Sequence, residues 1–317
     1  MPMTLSQFGS EVPEQCDHSE CSPGPKGHCD IYFLLYSRRL KRVGIRLNPI
    51  RTVLFPSMTL SAMLRTLVGI LVSVSAAAAF AQGGPPYYTN DPGTPGNLNW
   101  EINLGYMPFL YSNQSVSHTP DVDINFGVGD RIQLTYENAW LRVVHPQSTA
   151  RFGLGQSNPG VKWRFYDAGE SGFAISIFPQ LFLNNPNGAV RRGITPATES
   201  FLLPVEFSKK FGPVDVNWEV GYQFVRKGPD GWLGGLVIGH DFSSKLEMDV
   251  EFYSQGAFHP SSNQPTLELG ARYKIHRPVI VLLMAGRSLE PASPNQSNFV
   301  GYFGIQLLLP PKSYGSE

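Results

Sequence analysis

The stretch 97–106, read NLNWEINLGY, alternates between polar and apolar residues. Its odd positions carry Asn, Asn, Glu, Asn and Gly, and its even positions carry Leu, Trp, Ile, Leu and Tyr. Because successive side chains of a β-strand point to opposite faces of the sheet, the pattern predicts a strand with one polar and one apolar face. In a soluble sandwich the apolar face would be the core, whereas in a membrane barrel it would contact lipid and the polar face would line a lumen.

The alternation recurs along the chain from residue 97 to residue 309. Asp121–Phe126, Asp215–Phe224 and Leu246–Phe252 repeat it, and the region has no convincing helical periodicity. The sequence therefore predicts an all-β protein of about 12 strands. The predicted strands are 97–111, 119–128, 130–143, 157–167, 172–184, 199–209, 213–226, 231–242, 245–255, 264–275, 278–287 and 298–309.

The connections between these segments alternate in length. Outer-membrane barrels have short periplasmic turns and longer extracellular loops, whereas a soluble Greek-key sandwich has no reason to alternate in this way. We therefore predict an antiparallel transmembrane β-barrel, with 227–230 as the one connection that is short where a long one is due. The short connections are 129–130, 167–171, 210–213, 243–245 and 276–277, and the long ones are 112–118, 144–156, 185–197, 255–263 and 288–297.

The polar faces of the predicted strands carry both signs of charge, and the apolar faces carry almost none. A Lys or Arg facing mid-bilayer lipid costs about 2–4 kcal/mol, so a lipid-facing surface should lack them. The alternative, that the polar faces are solvated surfaces of a sandwich, does not explain the loop pattern. Acids outnumber bases, which predicts a cation preference if the lumen conducts. Candidate lumen-lining residues are Glu101, Asp123, Arg131, Glu137, Lys162, Arg164, Asp215, Glu219, Asp249, Glu251, Glu268 and Arg272.

Large aromatic residues share the apolar register. Girdles of aromatic side chains at the two membrane interfaces would produce this distribution, whereas a core role is the alternative in a soluble protein. The last predicted strand ends at 303–309 with a pattern that resembles the C-terminal recognition signal of bacterial barrels, although Pro310–Glu317 follow it. The aromatic residues in this register include Trp100, Tyr106, Tyr136, Trp163, Trp218, Tyr222 and Tyr273.

The segment 58–81 has the features of a secretory signal peptide. Arg65 supplies positive charge, Leu67–Ala79 is a short apolar run, and Ala79–Ala81 is a small-x-small cleavage site. The run is shorter than the roughly 20 residues that a spanning helix needs, which disfavours a permanent anchor. Cleavage would leave an irregular N-terminal tail at 82–96, the barrel at 97–309 and a C-terminal tail at 310–317.

Residues 1–57 precede this signal, and signals normally stand at the N-terminus. The simplest explanation is a start codon assigned too early, with the true start at Met58 or Met63; a genuine cytoplasmic extension is the alternative. The three cysteines of the chain, Cys16, Cys21 and Cys29, all lie in this part. Their C-x4-C-x7-C spacing matches the usual zinc-ligand pairs poorly, so no metal is predicted.

Composition excludes several classes of function. The 317 residues have a net charge of +0, which argues against nucleic acid as a partner. Their mean hydropathy of -0.14 is too polar for a bundle of membrane helices. The chain has no G-x-S-x-G elbow, H-E-x-x-H or P-loop motif, and 259–261 (His-Pro-Ser) lies in a predicted loop beside proline. We therefore predict neither catalysis nor a cofactor.

Four segments together carry a resemblance to a known family: DPGTPGNLNWEINL (91–104), DVDINFGVGDRIQLTYE (121–137), GVKWRFYD (160–167) and LLPVEFSKKFGPVDVNWEVGY (202–222). They resemble the outer-membrane family labelled "MetA-pathway of phenol degradation", over most of residues 85–309. The resemblance implies an outer-membrane barrel associated with uptake of aromatic or other hydrophobic compounds. It implies no catalytic or binding residue.

Two functions follow from these observations. The first is an outer-membrane channel or transporter for small solutes. The second is a closed structural or adhesive barrel, with a lumen filled by salt bridges or by the tail at 82–96. The expected partners are outer-membrane lipid, a small solute and the barrel-assembly machinery. A charged residue in place of Ile102 should block assembly, whereas Asn99→Asp should be tolerated.

Overall fold

The computed structural model describes residues 83–169, 172–184, 188–258, 262–291, 293 and 296–310. The predicted signal peptide, the upstream extension with its cysteines, the triplet 259–261 and residues 311–317 fall outside these residues. The regular elements of the described residues are strands and one four-residue helix, Gly188–Arg191. The strands are β1 (Trp100–Leu110), β2 (Ser115–Val128), β3 (Ile132–Val144), β4 (Arg151–Leu154), β5 (Asn158–Asp167), β6 (Ala174–Ile177), β7 (Gln180–Phe182), β8 (Ser200–Phe211), β9 (Val214–Val225), β10 (Gly231–Asp241), β11 (Leu246–Ala257), β12 (Thr266–His276), β13 (Val279–Ser288) and β14 (Phe299–Leu309).

The strands close into a barrel because the first pairs with the last. β1 pairs antiparallel with β14, with Ile102 opposite Leu307 and Gly105 opposite Gly304. β4 and β5 occupy successive parts of one wall position, as do β6 and β7, so the barrel has 12 strand positions, all antiparallel. At each of the 12 wall positions a strand pairs on both sides, as a strand structure in lipid requires. The predicted barrel is confirmed.

The interruption between β6 and β7 has a local cause. It falls at Phe178 and Pro179, opposite Pro204 in the middle of β8. Neither proline has an N–H to donate to the ladder, so regular pairing lapses where the two meet. Single hydrogen bonds bridge the gap, from Phe178 N to Pro204 O at 3.2 Å and from Val161 N to Pro179 O at 3.0 Å.

The prediction for the start of the first strand was wrong by three residues. Residues 97–99 form a turn, and β1 begins at Trp100. Leu98 has a φ of 59°, which is incompatible with a strand, and Asn99 N donates to Gly96 O at 3.2 Å. Leu98, Asn97 and Asn99 therefore belong to neither the lipid face nor the lumen face of a strand.

Two of the connections also differ from the predicted loops. β2 begins at Ser115, so the connection expected at 112–118 is only a turn, closed by Tyr111 N donating to Gln114 O at 2.9 Å. The connection expected at 144–156 contains β4.

Tyr111, in the turn between β1 and β2, is half-buried. Burial raises the pKa of its hydroxyl to about 12.

The short connection at 226–230 is stabilised by Asp230. One oxygen of its carboxylate accepts a hydrogen bond from Val225 N at 2.9 Å, and the other accepts one from the Tyr222 hydroxyl at 2.8 Å. The first of these bonds is the main reason that the pKa of Asp230 is lowered. This Asx-type closure needs no long loop.

The barrel exterior is apolar. Ile, Leu, Val and Phe side chains alternate outwards along the strands, as in Val250, Phe252 and Leu269. Phe207 and Trp218 stack on this surface with ring centroids 5.3 Å apart. Such an exterior suits contact with lipid. Among the described residues, no helix is long and apolar enough to cross a membrane. The predicted outward aromatic residues include Trp100 (42% exposed), Tyr106 (45%), Tyr136 (47%), Trp163 (50%), Tyr222 (39%) and Tyr273 (45%).

Candidate functional site

The barrel interior contains most of the charged residues expected there. The inward positions of the strands carry carboxylates together with Lys162 and Arg272. Most of these side chains are buried, and Glu101 and Glu137 are half-buried. The structure thus brings ten of the twelve predicted residues to the inner face. They are Glu101, Asp123, Glu137, Lys162, Asp215, Glu219, Asp249, Glu251, Glu268 and Arg272.

Two predicted residues lie at the rim instead. Arg131 is exposed in the turn between β2 and β3, one residue before β3 begins. Arg164 donates from Nη2 to Asp130 O at 2.6 Å and forms an ion pair with Asp167 at 3.4 Å. Their long side chains are held at the short-turn end, so the structure does not place them inside the lumen.

Residues 83–96, called the tail below, occupy the lumen. Near its C-terminal end the tail is fixed to the short-turn end of the barrel, where Thr94 Oγ1 donates to Asp130 O at 3.0 Å. From there it rises to the level of Glu219 and Glu251 and turns back. The turn is closed by Gly84 N donating to Thr89 O at 2.7 Å and by Tyr87 N donating to Gly84 O at 3.0 Å.

Arg272 binds the first residues of the tail. Its Nη2 lies 3.0, 2.9 and 2.8 Å from the carbonyl oxygens of Gly83, Gly84 and Pro85. Arg272 is itself only 2% exposed. Nη2 has two hydrogens, so it shares them among three consecutive backbone carbonyl oxygens.

Two carboxylates bind the turn of the tail. Glu251 accepts hydrogen bonds from Tyr88 N at 3.0 Å and from Thr89 N at 2.6 Å. Glu219 accepts one from Asn90 N at 2.6 Å. Three backbone N–H groups of the turn therefore find acceptors on two wall carboxylates.

Lys162 completes the polar contacts from the opposite wall. Its Nζ donates to Asp91 O at 2.5 Å and lies 3.3 Å from Glu206 Oε2. Both side chains of this ion pair are buried. Lys162 therefore joins the tail to β5 and β8 at once.

The turn of the tail also packs closely against Tyr253 and against two glycines of the wall. Tyr88 packs on Tyr253 with ring centroids 5.0 Å apart. A Cβ added to Gly235 would lie 1.9 Å from Thr89 Oγ1, and one added to Gly270 would lie 2.4 Å from the Tyr87 hydroxyl. Only glycine at these two inward positions leaves room for the tail.

The half of the lumen nearest the long loops has an apolar inner wall. Met107 and Phe109 of β1 and Leu141 and Val143 of β3 point inwards there. The segment after β7 folds in against this wall, where Ile194 is 5% exposed. The lining residues predicted from the sequence were all charged, so this apolar section was missed. The signal was present, because these apolar residues continue the inward register of the charged positions on the same strands.

A cavity of about 770 Å³ runs beside the tail. It reaches the short-turn end, where Arg277 and Pro278 line it, and extends inwards to Met107 and Tyr302. Phe178, which falls in the polar register of its wall position, also lines the cavity. The Phe178 ring lies 4.8 Å from Lys162 Nζ. In the described ranges, no group of three or more His, Cys, Asp or Glu side chains is arranged to hold a metal ion.

Comparison with known proteins relates this chain to others by fold. No family model matches the sequence, and no curated protein matches it. Among solved structures, the COG4313 outer membrane channel from Pseudomonas putida F1 superposes with a TM-score of 0.56 at 10% identity, over 72% of this chain and 100% of that one. A KdgM porin (TM-score 0.46, 12% identity, 65% and 98% covered) and a NanC porin (0.45, 7%, 66% and 98%) superpose less well.

At these identities the likeness shows the fold. A closed antiparallel barrel with an apolar exterior is the architecture of outer-membrane proteins, because every backbone polar group is satisfied within the wall. The protein is therefore a barrel of the bacterial outer membrane.

Proposed function

We propose that the protein is an outer-membrane channel for small solutes and that its own tail closes the lumen. The observation that supports this most directly is the nature of the contacts between tail and wall. The buried side chains Lys162, Glu219, Glu251 and Arg272 bind backbone groups of the tail. These contacts are non-covalent, and water or a solute can replace them.

The backbone pairing of the barrel wall does not involve the tail. Residues 83–96 contribute no strand, and the β1–β14 pairing closes the barrel without them. Displacement of the tail would therefore leave a closed barrel with a polar inner face. A barrel of about 12 strands is of intermediate size, so a narrow pore is feasible.

The solute class proposed for this channel is aromatic or other hydrophobic compounds. The resemblance to the "MetA-pathway of phenol degradation" family implies this class. The apolar wall formed by residues such as Met107, Phe109 and Leu141 supports it, because a polar lumen alone would give such solutes no favourable surface. Insertion by the barrel-assembly machinery, through the pattern at 303–309, is part of the same proposal.

Gly235→Ala tests whether the tail closes the channel. The new methyl group would lie 1.9 Å from Thr89 Oγ1 and 3.0 Å from Thr89 Cβ, closer than to Tyr253 at 3.1 Å, so it should displace the tail first. The matched control is Gly234→Ala, on the same strand, where the new Cβ would be 3.5 Å or more from its neighbours. A third variant lacks residues 83–91.

Single-channel recording in planar bilayers measures the outcome. We expect rare, small openings for wild type and Gly234→Ala, and frequent, larger openings for Gly235→Ala and for the deletion. Absence of conductance from the correctly folded deletion variant would reject the channel and favour the alternative, a closed structural barrel. That alternative is supported by the buried Lys162–Glu206 ion pair, which fills lumen space.

A further inference from the structure

The cavity beside the tail has a chemically mixed lining. Carboxylates of β1 and β2 contribute its acidic side, and apolar side chains of several strands contribute much of the rest. The acidic side includes Glu101, Asp121 and Asp123, whereas Met107, Phe178, Leu202, Leu233 and Ile280 supply apolar lining. A volume of about 770 Å³ with a few polar groups on an apolar lining is typical of small-molecule sites.

The acidic side has no strong cation of its own. Within the described part of the chain, no Lys or Arg forms a salt bridge with Glu101, Asp121 or Asp123. Asp121 Oδ1 lies 3.1 Å from His118 Nδ1, and Asp123 Oδ2 accepts hydrogen bonds from Asn103 at 3.0 Å and from Asn125 at 2.9 Å. The carboxyl groups of this wall therefore have hydrogen-bond partners but no direct ion pair with Lys or Arg.

Several buried polar atoms of the lumen have no hydrogen-bond partner among the described residues. Two of them, Asp123 Oδ1 and the Tyr302 hydroxyl of β14, belong to wall side chains that line the cavity. Both side chains line the cavity, and both are more than nine-tenths buried, at 8% and 5% exposed. Buried polar groups are normally satisfied, so an unsatisfied pair that borders a cavity points to a ligand that would satisfy it.

The basic residues around the cavity do not neutralise this wall. Lys162 is engaged by Asp91 O and Glu206. Lys274 and Arg277 line the cavity close to the short-turn rim, at the end of β12 and in the turn that follows. An anionic solute would meet bases near the entrance but acids inside.

We propose that the cavity binds a small organic cation, a primary ammonium group on an aryl or alkyl body. The ammonium donates to Asp123 Oδ1 and to the Tyr302 hydroxyl oxygen. The apolar body packs against Met107, Leu202 and Ile280. This narrows the proposed solute class to hydrophobic compounds that carry an ammonium group. Its role in transport rests on the proposed channel function, whereas the binding itself requires no conduction.

Calorimetry on the purified, folded protein in detergent tests the proposal with benzylammonium as the probe. Benzyl alcohol is the neutral control and benzoate the anionic one. We expect benzylammonium to bind at least tenfold more tightly than either, because charge-assisted hydrogen bonds exceed neutral ones. Equal affinity for benzylammonium and benzyl alcohol would overturn the proposal.

Variants locate the site. Asp123→Asn should weaken benzylammonium binding roughly tenfold or more, and Tyr302→Phe should weaken it by a smaller factor. Asp215→Asn is the matched control: it removes the same charge from the lumen, but Asp215 pairs with Lys210 at 3.6 Å and does not line the cavity. An equal effect of Asp215→Asn and Asp123→Asn would indicate a general field effect and reject the site.

Folding of each variant is checked by its heat-modifiable mobility on gels. If Asp123→Asn does not fold, Tyr302→Phe decides, since it removes a single unpaired oxygen, and wild-type affinity in Tyr302→Phe would then reject the site. The two proposals fail separately. A tail-deletion variant that does not conduct would reject the channel and leave the binding result unaffected.

Discussion

At the residue scale, the face of the strand on which a side chain lies decides whether it contacts lipid or the lumen. Ile102 points outwards, between Ile124 and Leu307 of the neighbouring strands. Its neighbour Asn103 points inwards and donates to Asp123 at 3.0 Å. One residue of shift along a strand therefore exchanges lipid for the lumen, because the side-chain period is two.

Ile102→Lys should impair assembly of the barrel. A lysine on the lipid face costs up to about 2–4 kcal/mol at mid-bilayer and less near the interface. Asn99→Asp is the control, since Asn99 lies in the turn before β1. Folding into detergent or lipid, followed by heat-modifiable gel mobility, measures the folded fraction. Normal assembly of Ile102→Lys together with failure of Asn99→Asp would contradict the assigned faces.

At the element scale, the tail is an irregular segment stabilised almost wholly by the barrel wall. Its sequence is rich in Pro and Gly and has no periodicity that would form an element alone. The hydrogen bonds that hold it join residues far apart in sequence, such as Thr89 and Glu251, separated by 162 positions. The conformation of the tail is therefore fixed by hydrogen bonds to charged side chains of the wall.

Glu251→Gln should loosen the turn of the tail. The amide keeps one acceptor but loses the charge that binds Tyr88 N and Thr89 N, a loss of about 1–2 kcal/mol. Hydrogen exchange at these two amides should quicken roughly 5–30-fold, while exchange in the wall strands stays unchanged. Asp215→Asn is the control. Unchanged exchange at both amides would show that Glu251 does not hold the tail.

At the scale of the whole molecule, the lumen has an excess of acids. Glu101, Asp123, Glu219, Asp249 and Glu268 face inwards, whereas Lys162 and Arg272 are the bases at the same depth among the predicted lining residues. An open form of the barrel should consequently prefer cations.

The variant lacking residues 83–91 should show this preference as a reversal potential in a KCl gradient. Adding Glu219→Gln or Asp249→Asn to that variant should reduce the cation preference, because each removes one negative charge from the path. The same changes leave the wall intact, which gel mobility would verify. A reversal potential that stays the same in both would mean that these acids do not line the conducting path.

The sequence alone determined the wall of this protein. Alternation with a period of two is a local property, so it predicted the strands, the lipid face and most inward charges without knowledge of the fold. The prediction failed where the backbone leaves the strand conformation despite the alternation. Leu98 has a φ of 59°, and at Pro179 the strand pairing is interrupted.

Only the tertiary structure decided what fills the lumen. The sequence allowed either an open polar lumen or one closed by the tail, since both follow from the same strands. The tail occupies the lumen because Arg272, Glu251, Glu219 and Lys162 converge on one segment, up to 189 positions away in sequence. Barrel closure brings these four side chains together. Gly235 and Gly270 leave the space that the tail occupies. Neither can be seen before the strands meet.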